Sequence, residues 1–276
     1  MAITSFQSDI LKLLAVRRRE LGESYVAGGV ALNQLLQAPR RSRDIDLFHD
    51  TEEALAATWA GDRALLTANG YAVQVLRESP SFVEARVTHY GAHTLMQWAR
   101  DSAYRFYPLI ADDVMGLTLH PFDLATNKVL AMAGRLEPRD WIDVVNCDQL
   151  IQPFGFLVWS ACGKDPGFNP QSLLSAASRS HYSQAELDSL DFEGPQPNAQ
   201  AIGMRWHEML GVARGIIERL PSDEAGKCVV SGTGDLFKGS TDELELALKD
   251  RALAFHEGQI GGSWPTIKPP PNTPSA

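Results

Sequence analysis

Apolar residues near the start of the chain recur at helical spacing. Phe6, Ile10, Leu13, Leu14 and Leu21 fall on one face behind Ser and Asp caps, and Gly22 ends the run, which predicts a helix over residues 5–21 packed on a sheet. A short strand, Ser24-Tyr25-Val26-Ala27, is stopped by Gly28-Gly29. Val30, Leu32, Leu35 and Leu36 then return to helical spacing until Pro39. From Ser42 to Leu47 the period changes to two: Ser42, Asp44 and Asp46 line one side of a strand while Ile45 and Leu47 line the other. One side is suited to a core and the other to a cation.

Further along, Leu55, Trp59, Leu65 and Leu66 predict a helix from Glu52 to Asn69, and strands are expected over 71–77, 82–90 and 94–99. Helices and strands mix without a strict β-α repeat, which favours an α+β (mixed α/β) domain over a doubly wound parallel one. The texture changes after Pro121. Residues 123–135, 138–151 and segments from Gln171, Ser183, Asn198 and Thr241 onward read as helices, separated by Gly- and Pro-rich loops at 163–170 and 193–198. Lys227 to Phe237 reads as a small hairpin, and the chain from Gly261 as a Pro-rich tail. The expected division is therefore residues 1–120, a mainly helical 121–260, and a tail over 261–276.

The 276 residues, 44% of them hydrophobic, suffice for a large core. A net charge of -9 excludes a nucleic-acid coat, so contact with RNA or a nucleotide must come from a local patch such as Arg40, Arg41 and Arg43. Arg17, Arg18 and Arg19 read more simply as a solvated helix face. Three dispersed cysteines, Cys147, Cys162 and Cys228, form neither a disulfide framework nor a zinc site, and they fit a reducing cytoplasm. No apolar run approaches a membrane span and the N-terminal residues lack a signal-peptide pattern, so a cytoplasmic protein without membrane contact is expected.

The chemistry concentrates on two stretches. Gly28-Gly29, between a strand and a helix, would let backbone amides and the helix dipole approach an anion. The next strand brings Asp44 and Asp46, neighbouring carboxylates that repel unless a divalent metal neutralises them; magnesium binds through one or two carboxylates plus substrate phosphates. Downstream, a helix capped by Asp123 would put Lys128 on a long stem able to reach a triphosphate, and Pro138 would open a helix with Arg139 and Asp143 one turn apart. Asp143, or Asp140, then activates or positions an attacking hydroxyl, or orients Lys128 and Arg135 near phosphate.

Gly28-Gly29-Val30-Ala31-Leu32-Asn33 followed by Ser42-Arg43-Asp44-Ile45-Asp46-Leu47 resembles the nucleotidyltransferases of DNA polymerase β type, and more narrowly the abortive-infection AbiEii/AbiGii-type toxins. Asp123-Leu124 with Lys128, and Arg135, Arg139-Asp140 and Asp143, are similar to that family's later signature. The resemblance implies transfer of a nucleoside monophosphate from an NTP with release of pyrophosphate, often to the 3′ end of a tRNA, with magnesium or manganese on Asp44 and Asp46. It further implies triphosphate contacts from Gly28, Gly29, Ser42, Arg43, Arg135 and Arg139, catalytic roles for Asp44, Asp46, Lys128 and Asp143, and a cognate antitoxin as partner.

Two positions depart from the family's pattern. Val30 stands where a hydroxyl residue often follows the glycine pair, and Gln97 where a third carboxylate is expected, with Asp101 or Glu84 as substitutes or else Asp143 completing the site. A small-molecule nucleotidyltransferase and a catalytically inactive nucleotide-binding or interaction module are the alternative readings. The seven histidines show no metal-ligand spacing.

Overall fold

The computed structural model describes residues 3–266, so residues 267–276 of the expected tail lie outside the described residues. Helix α1 (Ser5–Leu21) is opened by a capping box between Thr4 and Gln7 and closed by Gly22 in the left-handed conformation. Strand β1 (Tyr25–Ala27), helix α2 (Gly28–Leu36), strand β2 (Asp44–His49) and helix α3 (Glu52–Ala68) follow. Next come β3 (Ala72–Ser79), β4 (Phe82–His89), β5 (Ala92–Arg100), β6 (Tyr104–Arg105), β7 (Ile110–Asp112) and β8 (Gly116–Thr118). Seven of these strands form one mixed sheet in the order β3-β4-β5-β2-β1-β8-β7. Within it β2 runs parallel to β5, and β1 parallel to β8, while the other neighbours are antiparallel.

Strand alternation sorts the sheet's faces as the sequence pattern predicts. Ile45, Leu47, Met96 and Trp98 are fully buried against α1 and α3, where the Trp98 ring lies 4.7 Å from that of Trp59 and its Nε1 donates to Asp62 at 3.0 Å. Burying Trp98 there is worth roughly 3–5 kcal/mol against alanine. Asp44 and Asp46 take the opposite face. Arg18 is not part of a solvated face: it is buried, donating to Ser24 Oγ and the Met115 carbonyl.

The helical part comprises α4 (Pro121–Arg135), α5 (Pro138–Leu150), α6 (Phe154–Ala161), α7 (Pro170–Ala177), α8 (Gln184–Asp188), α9 (Ala199–Arg219) and α10 (Thr241–Lys249). Helix α6 escapes periodicity because all eight of its residues are buried, which leaves it no polar face. The expected hairpin over 227–237 forms: Val230 bridges Leu236, with the Ser231 amide donating to the Asp235 carbonyl and the Phe237 amide to the Val229 carbonyl, while β9 (Cys228–Ser231) makes its longer pairing with β10 (Leu253–His256). Strand β11 (Gln259–Ile260) pairs with β6. Beyond it Gly261 and Ser263 donate to the Ala103 and Phe106 carbonyls, so the expected tail begins docked on the body. No helix among the described residues is long and apolar enough to cross a membrane.

Candidate active site

The polar face of the sheet opens into a cleft of about 520 Å³, within the range of small-molecule sites. Strands β1, β2, β5 and β6 and helices α2, α4 and α5 build it. Helix α2 starts directly from β1 with Ala27 as its N-cap and no side-chain cap, so the first-turn amides at Gly28 and Gly29 face the cleft without a competing acceptor. The glycines are required by space. Gly28 has φ +66°, and a Cβ there would collide with the Asp46 carboxylate; a Cβ on Gly29 would lie 2.8 Å from an Arg40 guanidinium nitrogen and 2.9 Å from Ser42 Oγ. The pair thus lets α2 close onto the residues of the next strand. There Ser42 donates its hydroxyl to Asp44 Oδ1 at 3.2 Å, and Asp46 lies opposite Ala27 of β1.

Across the cleft stands a chain of charges from α4 and α5. Arg40 donates from Nε and Nη2 to the two oxygens of Asp143, both at 2.8 Å. Lys128 Nζ lies 2.9 Å from Asp143 and 3.1 Å from Asp140, and Arg135 grips Asp140 at 2.6 and 2.9 Å. Both carboxylates are fully buried, Lys128 and Arg40 nearly so, while Arg135 is about half exposed to the cleft. Burial alone would raise the Asp143 and Asp140 carboxyls; the adjoining Lys128, Arg40 and Arg135 charges outweigh it and hold both below the usual range.

Asp46 has no such partner. Burial, reinforced by the neighbouring Asp44 charge, pushes its carboxyl up to about 6 despite the more distant Lys128, Arg139 and Arg135. Two adjacent carboxylates, beside the Ser42 hydroxyl and a helix start without a side-chain cap, are a donor set that suits a divalent cation completed by phosphate oxygens. Among the described residues no group of three or more His, Cys, Asp or Glu side chains could hold a metal by itself. Gln97 stands opposite Asp46 on β5, and Asp101 lines the far end of the cleft.

The structure brings Gly28, Gly29, Ser42, Asp44, Asp46, Lys128, Arg135 and Arg139 to one cleft. It does not bring Arg43, which lies on the opposite side of the strand and donates to the Ser189 carbonyl at 2.8 Å. Asp143 is buried with both oxygens taken by Arg40 and Lys128, which leaves none for an acceptor hydroxyl and agrees with the other expectation, that it orients Lys128. Asp123 does not cap α4 either; His120 does, with Pro121 at the first position, and Asp123 instead accepts from the Phe106 and Tyr107 amides at 2.9 and 3.0 Å. Sequence reasoning missed Lys164, which enters the cleft from the 163–170 loop and pairs with Asp123 at 2.7 Å. It also missed the aromatic end, where Phe48 stacks on Tyr25 at 6.3 Å and Arg105 lies 5.2 Å over the Tyr25 ring, fixed by two 3.0 Å bonds to Asp50. Phe48 was within reach of the pattern, being two residues beyond Asp46 on the same strand face.

No protein-family model matches the sequence, and no curated protein does. Solved structures do match the fold. The nucleotidyltransferase toxin MenT4 from Mycobacterium tuberculosis aligns with TM-score 0.50 at 16% identity, over 79% of this chain and 86% of its own. A protein from H. pylori assigned provisionally as a nucleotidyltransferase aligns with TM-score 0.50 at 13% identity, over 79% of this chain and 99% of its own. JHP933 from Helicobacter pylori aligns with TM-score 0.50 at 13% identity, over 78% of this chain and 95% of its own. At these identities the likeness is one of fold: the chain is folded like the nucleotidyltransferases, with its paired aspartates and glycine turn at one cleft of that fold.

Proposed function

We propose that the protein transfers a nucleoside monophosphate from an NTP to an acceptor hydroxyl, with RNA, in particular a tRNA 3′ end, as the acceptor. The observation that carries this reading is Asp44 and Asp46, neither in a salt bridge among the described residues, beside the uncapped start of α2 in a cleft edged by Lys128, Arg135 and Arg139. Asp44 and Asp46 hold magnesium or manganese, which when bound supplies charge neutralisation at the reacting phosphate. The amides of Gly28 and Gly29 and the Ser42 hydroxyl bind the triphosphate, and Lys128, Arg135 and Arg139 offset its charge. The acceptor oxygen bonds to the α-phosphorus as its proton passes to solvent and the bond to the α–β bridging oxygen breaks, and pyrophosphate leaves with that electron pair. Asp143 and Asp140 act by holding Lys128 and Arg135 in place. In this reading residues 1–120 provide the cation and phosphate groups and residues 121–260 lend the basic ones. The toxin among the structural neighbours supports a growth-inhibiting role held in check by a cognate antitoxin.

Incubation with each α-labelled NTP, magnesium and total RNA tests the reading. Wild type is expected to label RNA and the Asp44→Ala/Asp46→Ala protein to leave it unlabelled. Label on a small molecule with RNA blank overturns the acceptor. NTP and magnesium binding unchanged in the double variant overturns the site.

A further inference from the structure

We propose that Gln97 is a neutral third oxygen ligand of the Asp44/Asp46 cation site and that Glu84 is the residue that positions it. This rests on the cation reading above. Gln97 is opposite Asp46 in the parallel β2-β5 pair, and Glu84 is opposite Gln97 in the antiparallel β4-β5 pair. Residues directly opposite share a sheet face, so Glu84, Gln97 and Asp46 stand in a row on three neighbouring strands, each about 4.8 Å from the next. Gln97 lines the cleft.

The orientation of its amide follows from its partner. Gln97 Nε2 donates to Glu84 Oε1 at 3.0 Å. An ionised carboxylate can only accept, so the amide atom turned toward β4 is the NH2. The planar amide then leaves Oε1 on the opposite side, toward β2 and its two aspartates. Donation to a carboxylate also draws electron density onto that carbonyl oxygen, making it a better hard ligand. Amide carbonyls are ordinary ligands for hard divalent cations. The third negative charge is therefore present, but one strand behind the ligand position, acting through Gln97. This accounts for a sheet that offers two acidic ligands at the cleft and not three.

A charge swap tests the idea. In Glu84→Gln/Gln97→Glu the hydrogen bond is kept with its donor now on β4 and total charge is unchanged, while the carboxylate moves onto the ligand position. The probe is Mn2+ alone, titrated into the full chain and followed by the loss of its free-ion EPR signal. The swap is expected to tighten Mn2+ binding by about tenfold, and Gln97→Leu to weaken it by roughly threefold to tenfold, because affinity follows ligand number and charge. Thermal melting reports whether each variant folds; if Gln97→Leu does not, the swap decides alone. A swap that melts like wild type and binds Mn2+ with unchanged affinity overturns the proposal and leaves Gln97 a cross-strand partner of Glu84. The Asp44→Asn/Asp46→Asn protein separates the two levels: if it binds Mn2+ as wild type does, the cation reading itself fails, whereas loss of binding there with an indifferent swap sinks only the role of Gln97.

Discussion

One pair of aspartates lines the cleft and another is buried behind its basic wall, and their surroundings have opposite effects on them. Asp140 and Asp143, on α5, are fully buried and each is gripped by two cations. Asp44 and Asp46, on β2, sit side by side, Asp44 accepting from the Ser42 hydroxyl and Asp46 packed directly against Gly28. Burial disfavours the charges of Asp46, Asp140 and Asp143, yet the helix pair is held below the usual carboxylate range while Asp46 is pushed up to about 6. Saturated carboxylates of this kind build and orient; unsaturated ones await a charge from outside. In the proposed reading the difference separates the groups that position Lys128 from the groups that would take a ligand.

The comparison breaks most sharply at the unsaturated pair. Asp44→Asn/Asp46→Asn should lower nucleotide transfer by about a thousandfold or more, the loss of roughly 4 kcal/mol of charge stabilisation. The same protein should unfold at equal or higher urea concentration, because a repulsion has been removed. Asp143→Ala should do the reverse to stability: it strands the buried Arg40 and Lys128, at a cost of about 3–5 kcal/mol in urea unfolding. A double variant that melts well below wild type, or an Asp143→Ala protein as stable as wild type, would abolish the distinction.

The strand pair was legible in the sequence, whereas the helix pair was legible only as two alternatives, acting on a hydroxyl or orienting Lys128 and Arg135, for a physical reason. Alternation over Ser42 to Leu47 is local, so the pattern itself assigns faces. By contrast Arg40 meets Asp143 across a separation of 103 residues, and nothing in either segment names the other. Arg40 therefore read as part of an RNA-facing patch when it is a buried strut, and Arg43 as a phosphate contact when alternation alone places it on the wrong side. The glycine pair was legible as a turn, but its necessity appears only with Asp46 packed against it. Lys164 gave no signal, as one lysine in an irregular loop. The helices of the second half emerged from capping and periodicity except α6, whose uniform burial removes the contrast that periodicity needs.

Gly28→Ala sharpens the comparison by crowding only the unsaturated side. The new methyl meets the Asp46 carboxylate and the φ of +66° disfavours any side chain, so a stability loss of roughly 2–3 kcal/mol is expected, together with weaker NTP binding measured by calorimetry. Arg40, Lys128 and their partners should be untouched, which the Asp143 behaviour in the same background would check.

The smallest effect is also the one in which both pairs are read at once, the dependence of stability on pH. Asp46 has its carboxyl raised from 3.8 to about 6 on folding, so the folded state binds its proton more tightly than the unfolded chain does. Its contribution is fully present below pH 3.8 and is lost as pH rises through 6, on the order of 2 kcal/mol. Asp140 and Asp143 are lowered, so their contribution is present above 3.8 and is lost only as pH falls through their folded values. The two windows do not overlap. Urea unfolding of wild type without divalent cations should gain stability from Asp46 on acidification from pH 7 to 4 and lose the α5 contribution below that. Asp46→Asn should remove the upper limb and leave the lower, and Asp143→Asn should diminish the lower and leave the upper. A saturating divalent cation at pH 7 should raise the melting temperature of wild type and of Asp143→Asn, but not of Asp46→Asn, because only the unsaturated pair has a charge to give it.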